Sequence, residues 1–97
     1  MQDIERIKRT LLQHKTELRK KFKVKSIGVF GSYVRREQKR HSDVDVLVEF
    51  EEPVGLFEFM DLEMYLSDLL GVKVDLVSKK ALKPHIGERI LKEVILI

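Results

Sequence analysis

The stretch "GVFGSYVRREQKRHSDVDVLVEF", Gly28 to Phe50, decides the fold. Its second half, Asp43 to Phe50, sets Val44, Val46, Val48 and Phe50 in alternation with Asp43, Asp45, Leu47 and Glu49. A period of two among β-branched residues predicts a strand, with the first set on the core face. Asp43 and Asp45 then share the opposite face. A carboxylate on a half-buried strand is unfavourable unless paired, hydrogen-bonded or metal-bound, and two of them repel each other as well.

Working outward, Lys25 to Phe30 reads as a shorter strand ended by Gly31-Ser32. Ser32 is a good N-cap, so a short helix through about Glu37 is expected. Upstream, Ile4, Ile7, Leu11, Leu18 and Phe22 recur at helical spacing, which predicts one amphipathic helix over residues 3–22. Downstream, "EEPVG" breaks the chain. Residues 56–70 predict a helix with Leu56, Phe59, Met60, Leu62, Leu66, Leu69 and Leu70 turned inward and Gly71 as its stop. Val72 to Val77 is a third strand, with Asp75 inside it. Pro84 suits a first helical turn, and Ile86, Ile90, Leu91, Val94 and Ile95 fit a last helix. The order α-β-α-β-α-β-α implies an α/β (α+β) chain, a small sheet with helices packed on it; strand order and direction stay open.

At 97 residues, with 43% hydrophobic and 36% charged, residues 1–97 form one folded domain. The absence of cysteine excludes disulfides, thiolate nucleophiles and Cys-ligated zinc. The first ten residues are charged and lack the apolar core of a leader, and no apolar run approaches the ~20 residues of a membrane span, so the expected location is cytoplasmic. Charge is sorted along the chain: residues 1–40 carry 13 Lys/Arg against 4 Asp/Glu, residues 41–78 carry 1 against 10, and residues 79–97 carry 5 against 2. The basic part suits nucleic acid or polyphosphate and the acidic part suits cations or a basic partner, although solvated helix faces are the simpler account of such runs.

Asp43 and Asp45, two apart on a strand, aim their carboxylates to one side. Oxygen ligands so placed suit Mg²⁺, which keeps waters and takes further ligands from substrate phosphates. Gly31-Ser32, leaving a strand and opening a helix, offers backbone N–H groups to an anion, and Arg35 falls on the same helical face. If the strand of Asp75 pairs beside that of Asp43 and Asp45, three acids could hold two ions about 4 Å apart, as in phosphoryl transfer. Singly, each piece has an ordinary reading: a cap, a solvated edge, a paired surface acid. Together their order and spacing carry the inference.

That pattern, with "GSYVRRE", "SDVDVLVEF", "VDLV" and "LKPHIGERILKEVI", resembles the minimal nucleotidyltransferases of the DNA polymerase β superfamily, especially the MntA-like antitoxins of HEPN/MNT systems. The resemblance covers about Lys25 to Leu91. It implies a palm-like fold with a small mixed sheet, and transfer of AMP from ATP to a hydroxyl, in these members a tyrosine of a HEPN-domain toxin. It implies that Asp43, Asp45 and Asp75 are catalytic and bind two Mg²⁺ ions, Asp75 helping to activate the attacking hydroxyl, while Gly31, Ser32 and Arg35 hold the phosphates. Where the family commonly has Ala-Arg-Gly-Glu, this chain has Val34-Arg35-Arg36-Glu37, so Arg36 replaces the turn glycine.

His14, His41 and His85 show no metal-ligand spacing. Tyr33 reads as lining the pocket and Tyr65 as packing at the core edge. The apolar end "EVILI" either docks on the sheet or joins a protein interface, and a homo-oligomer is left open. Two other functions compete: a non-catalytic antitoxin that inhibits by binding, motivated by Arg36 and the apolar end, and, ranked last, a nucleic-acid module using His14 to Lys25, which lacks interleaved exposed aromatics.

Overall fold

The computed structural model describes residues 3–97; Met1 and Gln2 of the expected 1–97 domain lie outside the described residues. Helix α1, Ile4–Gln13, starts at Asp3, whose carboxylate accepts the Arg6 N–H at 2.9 Å. The single helix expected over 3–22 is in fact two, because α2 spans Lys15–Phe22 and His14 sits between them. Side chains break the ladder. His14 Nδ1 donates to Thr10 O (2.9 Å), the carbonyl that the His14 N–H would otherwise take, and that N–H turns to Leu11 O instead (3.2 Å). The resulting bend lets Ile4, Ile7, Leu11 and Leu18 all stay buried.

Strand β1, Val24–Phe30, pairs antiparallel with β2, Val44–Phe50. Helix α3, Leu56–Leu70, then crosses to β3, Val74–Ser78, which runs parallel to β2. After a turn of 3₁₀ helix at Lys79–Ala81, α4 spans Pro84–Glu93, and β4, Ile95–Leu96, pairs antiparallel with β1. The sheet is mixed, in the order β3-β2-β1-β4. Its core face carries Ile27, Val29, Val44, Val46, Val48 and Val74, packed with the apolar stripes of α1, α2 and α3. Gly71 ends α3 in the left-handed conformation, φ 69°, as expected of it.

Four further expectations change. No helix forms at Ser32–Glu37: Gly31–Arg36 is a run of tight turns stopped by Arg36 at φ 59°. Val94 and Ile95 leave the last helix, Val94 being extended, because the edge of β1 is open to pairing there; a side chain at Gly28 would collide with Val94 and Ile95. The apolar end therefore docks on the sheet. In α3, Leu62, Leu66 and Leu70 are buried as expected, but Leu56 and Met60 face outward at 70% and 47% exposure, while Phe59 from the same turns packs against Phe50 of β2. Asp43 and Val72 also fall just before their strands rather than within them. Among the described residues no helix is long and apolar enough to cross a membrane.

Candidate active site

The topology explains how the acids and the glycine turn meet. Because β1 and β2 are antiparallel, the end of β1 lies beside the start of β2, and Phe30 is the register partner of Asp45. Because β3 is parallel to β2, its start lies at that same end, and Asp45 is in register with Asp75. Parallel pairing requires a crossover, which α3 supplies. Asp45 thus sits between the Gly31 turn on one side and Asp75 on the other, with Asp43 two residues upstream.

Gly31 has φ 81°, the left-handed region that favours glycine. Its backbone also lies directly against Asp45: a Cβ built there would be 2.9 Å from the Asp45 Cγ and closer still to Oδ2. Gly31 is therefore needed for conformation and for space. Asp45 is half-buried, and its carboxyl is pushed up from 3.8 to about 6, first by burial, then by the charges of Asp75 and Asp43; Arg35 offsets part of this and Glu93 adds to it. Among the described residues no three ligating side chains are already gathered closely enough to hold a metal ion. Asp43 is 40% exposed in its side chain and makes a long ion pair, 4.0 Å, to the exposed Lys73.

Of the residues expected to hold phosphate, Gly31 and Arg35 share one cavity of about 330 Å³ with Asp45, Phe30 and the α4 residues Ile86, Arg89, Ile90 and Glu93. Ser32 stands at the start of the turn, and its carbonyl accepts the Glu37 N–H at 2.9 Å. Tyr33 does not line this cavity. It is buried in the core at 4% exposure, and its hydroxyl donates to Ser42 O at 3.3 Å, bracing the turn against the loop that carries Asp43.

Sequence reasoning missed Glu93. Its Oε2 accepts the Gly31 N–H at 2.8 Å and its Oε1 accepts from Arg35 Nη1 at 2.6 Å. Burial alone would push its carboxyl up, but these two hydrogen bonds together with the charges of Arg35 and Arg89 outweigh that and hold it below the ordinary glutamate value. No local pattern announces such a contact, because 62 residues separate Glu93 from Gly31.

The family model for the nucleotidyltransferase domain matches residues 11–97. The protein adenylyltransferase MntA of Thermococcus cleftensis is 54% identical over 95 residues, covering 98% of this chain and 96% of its own. Among solved structures, a chain described as a minimal nucleotidyltransferase superposes with a TM-score of 0.81 at 37% identity, over 97% of this chain and 95% of the other. A toxin–antitoxin structure with AMP-PNP shares the fold, with a TM-score of 0.72 at 23% identity over 87% of this chain and 69% of the other. With the glycine turn, the paired aspartates and the mixed sheet all in place, this chain belongs to the nucleotidyltransferase domain family and is a nucleotidyltransferase.

Proposed function

We propose that the protein transfers AMP from ATP to a hydroxyl of a partner protein, a tyrosine of a HEPN-domain toxin, and thereby acts as an antitoxin. The observation that carries this reading is Asp45. Its carboxylate lies against the backbone of Gly31 and beside Asp75, so an acid pushed to about 6 abuts the donors suited to phosphate. The sequence similarity to a protein adenylyltransferase supports a protein acceptor.

The acids fit a divalent cation, since Asp45 is raised first by burial and then by the charges of Asp75 and Asp43, both of which such an ion would offset, and Mg²⁺ shares its coordination between carboxylates, water and phosphates. When bound there by Asp43, Asp45 and Asp75, Mg²⁺ would neutralise the charge that develops on the phosphates. The protein's own part is positional. Gly31, Ser32 and Arg35 hold the β- and γ-phosphates so that the acceptor hydroxyl faces the α-phosphorus. The hydroxyl oxygen bonds to the α-phosphorus, the bond to the β-bridging oxygen breaks, and pyrophosphate departs. Asp75 takes the hydroxyl proton.

Label transfer tests this. With Mg²⁺ and ATP labelled at the α-phosphate, the partner should become labelled, whereas label at the γ-phosphate should not arrive. Asp43→Ala and Asp45→Ala should each lower transfer by roughly a hundredfold or more while leaving the fold intact. Full transfer by either variant would remove the assigned role.

A second reading, inhibition by binding alone, is favoured by one contact: Glu93 already holds Gly31 and Arg35. Under it, the same two variants would neutralise the partner as well as the wild type does.

A further inference from the structure

We propose that Glu93 is an internal stand-in for the nucleotide's phosphate, occupying the anion donors of the Gly31 turn until a polyphosphate displaces it. The identity of the incoming anion rests on the nucleotidyltransferase reading; the occupancy rests on the contacts of Glu93 itself.

Each oxygen of Glu93 takes a separate donor, the Gly31 N–H at 2.8 Å and the Arg35 guanidinium at 2.6 Å. A backbone N–H in a left-handed turn together with a guanidinium is the donor pair a phosphate oxygen would seek. The side chain of Glu93 is 23% exposed and that of Arg35 is 49% exposed, so the carboxylate is seated on the turn while the guanidinium stays within reach of an incoming anion.

The sheet delivers Glu93 to this place. Gly28 pairs with Leu96 and Val29 with Ile95. Continuing that antiparallel register by two residues brings Glu93 opposite Gly31. The absent side chain of Gly28 allows the close approach, since a Cβ there would lie 2.6 Å from Val94 Cγ2 and 2.9 Å from Ile95 O.

A phosphate and Glu93 cannot share the single Gly31 N–H, which Glu93 already takes. Glu93 is already one of the negative charges acting on Asp45, and another anion would add to that repulsion. Arg89, one helical turn earlier on α4, lines the same cavity and already acts on the charge of Glu93. It offers the displaced carboxylate a partner at i−4 spacing. Apparent affinity then falls in proportion to the fraction of molecules in which Glu93 has let go.

Calorimetric titration of the wild type and Glu93→Gln with α,β-methylene ATP plus Mg²⁺, and separately with inorganic pyrophosphate, reads this competition without chemistry. If about nine-tenths of wild-type molecules are closed, Glu93→Gln should bind both probes roughly tenfold more tightly. Equal or weaker binding by Glu93→Gln overturns the stand-in and leaves the transferase reading untouched, because Glu93 would then be bracing Gly31 and Arg35. Tighter pyrophosphate binding with no nucleotide binding in either protein keeps the stand-in and removes the transferase reading. Failure of both probes to bind either protein removes the stand-in. Should Glu93→Gln not fold, Glu93→Asp retains the charge but retracts it by one methylene, and tighter binding than wild type is again the expected result.

Discussion

At the scale of single residues, Arg36 occupies a backbone position that favours glycine. Its N–H bonds to Tyr33 O at 3.3 Å and the next, Glu37 N–H, to Ser32 O at 2.9 Å. Those two bonds close the turn in the manner of a Schellman helix end, which needs a left-handed residue at the position Arg36 occupies with φ 59°. For a residue with a Cβ this conformation costs about 1 kcal/mol or more. The ion pair of Arg36 with Glu5, 3.8 Å between two exposed side chains, offsets little of it. Arg36→Gly should therefore stabilise the protein by about 0.5 to 1 kcal/mol, raising Tm by roughly 2 to 8 °C. An unchanged or lower Tm in thermal denaturation would mean that the Arg36 side chain contributes packing that outweighs the strain.

At the scale of elements, β3 is an edge strand, and α3 finishes its hydrogen bonding. Ser67 Oγ accepts the Val74 N–H at 3.0 Å and donates to Glu63 O at 2.9 Å, while Glu63 Oε2 accepts the Leu76 N–H at 2.9 Å. The amides on either side of Asp75 are thus satisfied by side chains, which also shields an edge otherwise open to pairing with another chain. Ser67→Ala should cost about 1 kcal/mol and Glu63→Ala about 1 to 2 kcal/mol. Amide exchange at Val74 and Leu76 should quicken in step. Unaltered exchange there would show that the pairing of β3 with β2 suffices to hold Asp75.

At the scale of the whole molecule, the sheet gathers negative charge at one end, and Asp45 registers it. An acid whose folded value, about 6, lies above its ordinary 3.8 contributes stability that is fully present below about pH 4 and lost as pH rises through 6. A shift of that size would correspond to about 3 kcal/mol unscreened, and partial exposure reduces the expected loss to about 1 to 2 kcal/mol. Urea denaturation in chelator between pH 4 and 7 should show wild type losing this amount relative to Asp45→Asn, which cannot ionise. Parallel pH profiles for the two proteins would show that the acids are better solvated than their positions indicate.

The local signals were legible without coordinates. Valine alternation marked β2, leucine spacing marked the buried side of α3, Pro84 and Gly71 marked helix ends, and the order Gly31-Ser32, Asp43-x-Asp45, Asp75 pointed to the candidate site. Each depends on a period or on a turn residue, which a chain displays over a few neighbours. Tertiary structure decided the rest because it depends on partners remote in sequence. Which side of the first turns of α3 is covered follows from the packing of Phe59 on Phe50 of β2, and Leu56 and Met60 lie off that side. The conversion of Val94 and Ile95 from helix to strand follows from the open edge of β1. The seat of Glu93 on Gly31 and Arg35 follows from the register of β4, and no local pattern of apolar spacing or capping encodes which strand edge a C-terminal segment will find.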